Sequence, residues 1–188
     1  MDDVTTAGSK RNPLPGDPTA RYTVERVIRV DHAGEYGAAR IYEGQLRIMG
    51  RGPKGDLIRH MKDQEQHHLD TFAGLIRTRR VRPTALLPVW HVAGYALGMV
   101  TAALGDRAAM ACTVAVEEAI DEHYAAQAAS LGEEEAPLRA TIGRFRAEEL
   151  EHRDIGLEHE AEQAPAYRLM SAVIKAGCKV AIAASERV

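Results

Sequence analysis

The chain has 188 residues, 45% of them hydrophobic and 27% charged, with a formal net charge of −3. That is enough for one domain with a real core and too apolar for a disordered chain. No basic surplus exists to neutralise phosphates, which excludes nucleic acid as a partner.

Residues 1–20 carry Pro13, Pro15 and Pro18 with Gly8 and Gly16 and almost nothing apolar. They are expected to be a disordered tail ahead of a single domain over 21–188. Over 22–49 the residues Val24, Ile28, Glu35, Ala39, Tyr42 and Leu46 recur at threes, fours and sevens, a helical stripe. Gly50, Gly52 and Pro53 break it. A second helix is expected over 54–79, striped by Ile58, Met61, Leu69, Phe72 and Ile76. Residues 83–105 are almost wholly apolar, and a fourth helix over 106–131 stops at Gly132 before Glu133-Glu134-Glu135 and Pro137. A fifth is expected over 138–163 and a sixth from 165 to the end. With alanine abundant and aromatics at 5%, the fold class is all-α.

Cys112 and Cys178 lie too far apart for a Cys-x-x-Cys site and read as small buried thiols in a reducing compartment. The opening Met1-Asp2-Asp3 lacks the apolar core of a signal peptide and the arginines of a mitochondrial presequence. The expected location is bacterial and cytoplasmic.

Two Glu-x-x-His motifs stand out, Glu65 with His68 and Glu149 with His152. Residues three apart on a helix share a face, so each pair can grip one ion. Glu35 precedes Glu65 by 30 residues and Glu117 precedes Glu149 by 32, so a unit of lone Glu, turn and Glu-x-x-His occurs twice. Two helices with a Glu and two with Glu-x-x-His are the inventory of a di-iron or di-manganese helix bundle. One such motif alone would fit an exposed ion pair; two, each on an apolar stripe with a spaced partner, fit buried ligands. Glu65 and His68 share a face with Ile58, Met61 and Phe72; Glu149 and His152 with Ile142, Phe145 and Gly156. Glu35 sits with Ile28, Ala38, Ala39 and Tyr42. Glu117, with Met110, Val114, Ile120 and Tyr124, is preferred over Glu118, whose face carries Asp121. Burying four carboxylates unpaired is costly, and two divalent cations would cancel the charge. Mixed carboxylate and imidazole ligation suits iron or manganese.

Longer stretches carry a resemblance. Val30-Asp31-His32-Ala33-Gly34-Glu35-Tyr36-Gly37-Ala38, the run from Ala109 to Glu118, and Glu148-Glu149-Leu150-Glu151-His152 resemble signatures of the Coq7 family, the demethoxyubiquinone hydroxylases. So do Ala164-Pro165-Ala166-Tyr167 and Ser185-Glu186-Arg187, and the likeness covers about 22–188. The resemblance implies a ferritin-like four-helix bundle with two additional amphipathic or apolar helices. It implies a monooxygenase that hydroxylates the ring of a demethoxyubiquinone with O2 in ubiquinone synthesis, using two Fe ions per chain. The family's iron ligands fall on Glu35, Glu65, His68, Glu117, Glu149 and His152. His123, paired with Tyr124, would be a supporting or electron-relaying residue; read from the residues alone, His123 also fits a polar position near the bundle surface. Electrons would come from NADH by way of the quinone itself, and no Gly-rich dinucleotide loop is present.

Residues 85–105 run 21 positions without a charge, long enough to cross a bilayer. A single crossing would put Glu35, Glu65 and His68 on the opposite side from Glu117, Glu149 and His152, so the segment is expected to lie in the interface or to dip and return. Leu169, Val173, Ala176 and Val180 form a second apolar stripe beside Arg168, Lys175 and Lys179. Together these elements suggest a greasy entrance for a polyprenyl quinone, on a protein bound peripherally to the cytoplasmic side of the cell membrane. A lipid-binding partner protein or a homo-oligomer fits the same surfaces. Two other readings share parts of this pattern: a ferritin-like oxidase that handles iron or peroxide, and a lipid-binding bundle without catalysis.

Overall fold

The computed structural model describes residues 19–188, and all its regular elements are helical. The expected tail therefore lies outside the described residues, apart from Thr19 and Ala20, which already open the first helix. Six α-helices follow in order: α1 Ala20–Met49, α2 Gly55–Arg79, α3 Leu87–Ala103, α4 Asp106–Ser130, α5 Ala136–Glu158 and α6 Tyr167–Ser185. Short 3-10 turns occupy Glu133–Glu135 and Ala161–Gln163. The Thr19 hydroxyl accepts from the Tyr22 amide at 3.1 Å and caps α1, satisfying one of the free N–H groups of its first turn.

Boundaries differ from expectation at three places. α3 starts at Leu87 rather than Pro83, because the chain first turns, with the Leu86 amide donating to the Thr84 hydroxyl at 3.2 Å. α5 stops at Glu158 rather than running to residue 163. Glu160 adopts φ 63°, a left-handed conformation that ends a helix, and swings Ala161 and Ala164 into the core. α6 begins only after Ala166, itself left-handed at φ 53°.

α1, α2, α4 and α5 form an antiparallel four-helix bundle of the ferritin-like kind. Side-chain pairs fix the directions: along α1, Asp31, Glu35 and Tyr42 meet Gln127, Tyr124 and Glu117 of α4 in reverse order. α3 lies along α1 in the same direction, with Gly94 beside Gly37 and Gly98 beside Ile41. α6 lies along α4 likewise, with Lys175 and Lys179 meeting Glu118 and Glu122. The chain is thus a three-helix unit used twice, α1–α3 and α4–α6, face to face.

α3 approaches α1 so closely that side chains are excluded. A Cβ on Gly98 would stand 2.0 Å from the Ile41 carbonyl oxygen, and one on Gly44 would stand 2.2 Å from that of Tyr95. Glycine is required at both positions by space, at some cost in helix propensity. The opposite face of α3 is open: Val89, Val92, Val100 and Leu104 are all more than half exposed. Among the described residues no helix is long and apolar enough to cross a membrane.

Candidate metal centre

The apolar stripes carry their charged members inward. Ile28, Ile58, Met61, Phe72, Met110, Val114, Ile142 and Phe145 are fully enclosed, and Glu35, Glu65, His68, Glu117, Glu149 and His152 lie among them at 0–2% exposure. All six residues expected from the sequence meet at one place. They fall into two groups of four whose ligand atoms lie within 4.8 Å of one another. Glu35, Glu65, His68 and Glu149 make one; Glu65, Glu117, Glu149 and His152 make the other. Glu65 and Glu149 belong to both, so they stand between the two positions. Glu118, by contrast, faces outward and pairs with Lys175.

The histidines present Nδ1 to the cluster. His68 Nδ1 lies 3.1 Å from Glu149 Oε1 and 3.4 Å from Glu35 Oε2. His152 Nδ1 lies 3.2 Å from Glu65 Oε1 and 3.3 Å from Glu149 Oε2. The ring of Phe145 stacks on His68 with centroids 3.9 Å apart, keeping water off that side.

The electrostatics are those of a site waiting for positive charge. Burial, then the neighbouring carboxylates, raises the acids of Glu65 and Glu117 well above the usual range. Burial alone would lower His68, but the carboxylates of Glu149 and Glu35 beside it lift it to about 12. Burial would raise Glu149, but the imidazoles of His152 and His68 beside it hold it at about 2. Even so, Glu35 Oε2, both oxygens of Glu65, Glu117 Oε2, Glu149 Oε2 and His152 Nδ1 find no hydrogen-bond partner. Orphaned buried oxygens cost about 1–3 kcal/mol each, more when charged. The donor set and these unmatched atoms fit a pair of divalent cations.

Supporting residues surround the ligands: Tyr124, expected from the sequence beside His123, and Tyr42, Glu148 and Gln64, which were not singled out there. Tyr42 OH donates to Glu117 Oε1 at 2.8 Å, and Tyr124 OH donates to Glu35. The signal was present: each tyrosine follows a lone glutamate by seven residues, two helical turns, on the same face. Glu148 and Gln64 receive the outer nitrogens of the histidines, His68 Nε2 at 2.6 Å and His152 Nε2 at 3.0 Å. Each is the residue just before a motif glutamate, on the helix opposite its histidine.

Tyr124 and His123 part company. Tyr124 points into the cluster, whereas His123 sits to one side, half-buried, with Nε2 3.9 Å from the enclosed Asp31. Together with Arg26, Gln127 and Glu186, His123 lines a small cavity of about 130 Å³. The α6 lysines Lys175 and Lys179 lie against α4. They pair with Glu118 and Glu122 of α4, Lys179 at 3.0 Å, so the free face of α6 is the apolar one of Leu169, Val173 and Val180.

Comparison with known proteins agrees with the geometry. The sequence profile of the family described as "Ubiquinone biosynthesis protein COQ7" matches residues 22–185. The chain is 58% identical over 176 residues to the 3-demethoxyubiquinol 3-hydroxylase of Rhodospirillum rubrum, covering 93% of this chain and 83% of that one. It is 55% identical over 175 residues to the human NADPH-dependent 3-demethoxyubiquinone 3-hydroxylase, mitochondrial, covering 91% and 81%. With the Saccharomyces cerevisiae 5-demethoxyubiquinone hydroxylase, mitochondrial, it shares 41% over 182 residues, covering 88% and 78%. A match over nearly the whole helical chain, with paired carboxylates and histidines at its centre, places the protein in the COQ7 family of ubiquinone biosynthesis proteins.

Proposed function

We propose that the protein is a di-iron monooxygenase that hydroxylates the ring of a demethoxyubiquinol in ubiquinone biosynthesis. The observation that carries this reading is the convergence of four carboxylates and two imidazoles from four helices, with oxygens left unmatched at the meeting point. The names of the relatives support the substrate class. When bound, a pair of ferrous ions supplies the electrons and open positions that O2 reduction needs. Ring hydroxylation sends one oxygen atom to the ring and the other to water; two of the four electrons come from the ring C–H bond, and the two that pass through the iron pair are restored by the reductant. The human relative's name specifies NADPH, whereas the resemblance had implied NADH-derived electrons passed through the quinone. A reduced nicotinamide is the reductant class both share.

The chain's own residues have definable parts in this chemistry. Glu35, Glu65, Glu117 and Glu149 with His68 and His152 would hold the two irons, Glu65 and Glu149 reaching both. Tyr42 and Tyr124 fix the lone glutamates by hydrogen bonds and keep each carboxylate at a set angle. The apolar wall of Ile28, Met61, Met110, Phe145 and their neighbours excludes bulk water from the centre. His123, beside Asp31, stands where a relay toward the cluster could begin.

The quinone and the membrane belong to the same reading. The open valines of α3 and the apolar stripe of α6 flank α1 and α4, and Trp90 of α3 donates to the Ser185 hydroxyl of α6 at 3.1 Å. Amphipathic helices with such faces settle at a bilayer surface. This supports peripheral attachment to a membrane, in this reading the cytoplasmic face of a bacterial one, with a polyprenyl quinone entering there and a lipid-binding partner or a second copy covering the rest.

Glu149→Ala tests the function directly. The variant is expected to lose iron and to stop converting demethoxyubiquinol, read by mass spectrometry of the quinone. Full turnover by an iron-free variant would overturn the proposal. Flotation with anionic vesicles tests the surface: wild type should float, while Val92→Glu with Val173→Glu should stay in the dense fraction. A wild type that never floats would remove the membrane part alone.

A further inference from the structure

The two halves of the centre are related by an approximate twofold exchange of α1–α2 with α4–α5. Glu35 answers Glu117, Tyr42 answers Tyr124, Glu65 answers Glu149 and His68 answers His152. Each tyrosine reaches the lone glutamate of the other half, and each histidine reaches the other half's motif. One equivalent pair does not match chemically: Glu148 on α5 and Gln64 on α2.

The mismatch falls where it affects the metals. A histidine that gives its Nδ1 lone pair to a cation must carry its proton on Nε2. For His68 that N–H meets the Glu148 carboxylate at 2.6 Å; for His152 it meets the neutral Gln64 amide oxygen at 3.0 Å. A hydrogen bond to an ionised acceptor is shorter and roughly twice as strong as one between neutral groups. It draws the N–H proton outward, leaves more electron density on the ring and makes Nδ1 the stronger donor. Both acceptors are only partly buried, so neither is a packing residue of the core.

We infer that the two metal positions are unequal, and that the Glu148/Gln64 pair sets the inequality. The position at Glu35, Glu65, His68 and Glu149 loads first and holds the more oxidised metal more firmly. The position at Glu65, Glu117, Glu149 and His152 fills second and is the more readily reduced. Glu148 and Gln64 are positioning residues, acting through the histidines. The inference rests on the reading of a two-metal centre.

The test is anaerobic loading of the metal-free full chain with 57Fe(II), followed by Mössbauer spectroscopy and by equilibrium binding. Wild type should bind iron in two steps separated about 10–100-fold in affinity, the usual effect of such an outer partner, with one quadrupole doublet at one equivalent and a second at two. Glu148→Gln should weaken the first step until the two merge. Gln64→Glu should tighten the second step until they merge at the stronger affinity. The Gln64→Glu change adds a group rather than removing one, so it keeps the inference open to refutation where Glu148→Gln fails to fold. Two equal steps in wild type, or a Gln64→Glu variant that keeps wild-type spacing, would overturn the inference while leaving the two-metal centre intact. Fewer than two irons bound by wild type would instead overturn the centre itself.

Discussion

Tyr124 on α4 donates its hydroxyl to Glu35 on α1, although the two lie 89 positions apart in sequence. The bond has a counterpart in Tyr42 on α1, which donates to Glu117 on α4. Both phenols are enclosed, and burial, then the nearby carboxylates, holds them well above the usual range, so they stay protonated and act as donors. Tyr42→Phe and Tyr124→Phe should each lower iron affinity about 10–100-fold while the helix content is retained, as loss of an outer partner to a ligand does. Unchanged iron binding in both variants would show that the phenols are only packing.

Metal loading should release protons. His68 is protonated in the metal-free protein because its carboxylate partners lift it to about 12, and Nδ1 cannot bind a cation until that proton leaves. Since the cation competes with the proton, apparent affinity should rise with pH across the neutral range. Calorimetry in buffers of different ionisation enthalpy reads the proton count. A pH-independent affinity with no released proton would contradict the arrangement of the site.

The α1–α3 contact should be the least tolerant of added bulk. Gly98→Ala would place a methyl group 2.0 Å from a backbone oxygen, which no rotamer change relieves. The expected loss is about 1–3 kcal/mol or more, the cost of overpacking, despite alanine's better helix propensity. Denaturant melts check this against Gly34→Ala and Gly143→Ala, where the added methyl meets nothing within 4 Å and stability should hold or rise.

Asp31 gives a second pH signature. It is enclosed, burial raises its acid well above the usual range, and only one oxygen has a partner, from Gln127 at 2.6 Å. A carboxyl raised in the folded state binds its proton more tightly folded than unfolded. Its contribution is therefore fully present below the unfolded value near 4, and is lost as pH rises through the folded value. Asp31→Asn should flatten this decline, so the variant gains on wild type as pH increases, by about 1.4 kcal/mol per pK unit of the shift. A stability difference that does not vary with pH would refute this account of Asp31.

The ligand set was legible because each charged residue interrupted an otherwise apolar stripe. Glu35, Glu65 and Glu149 had no structural reason to face inward unless something there needed them. The choice of Glu117 over Glu118 followed from Asp121 on the outer face, and the structure places Glu118 against Lys175 outside. What the stripes could not reveal was how side chains cross between helices. Glu148 and Gln64 look like surface residues in sequence, since their roles depend on the approach of the opposite helix. The same holds for Lys175 and Lys179, whose partners lie on α4, and for His123, adjacent to Tyr124 in the chain but turned toward Asp31. The end of α5 was hidden because Glu160 is left-handed without being glycine.

The most direct test is X-ray diffraction from iron-loaded crystals at wavelengths on either side of the iron absorption edge. Two anomalous peaks should appear inside the bundle, one ringed by Glu35, Glu65, His68 and Glu149 and the other by Glu65, Glu117, Glu149 and His152. Iron bound elsewhere on the molecule, with no peak among these six side chains, would contradict the account.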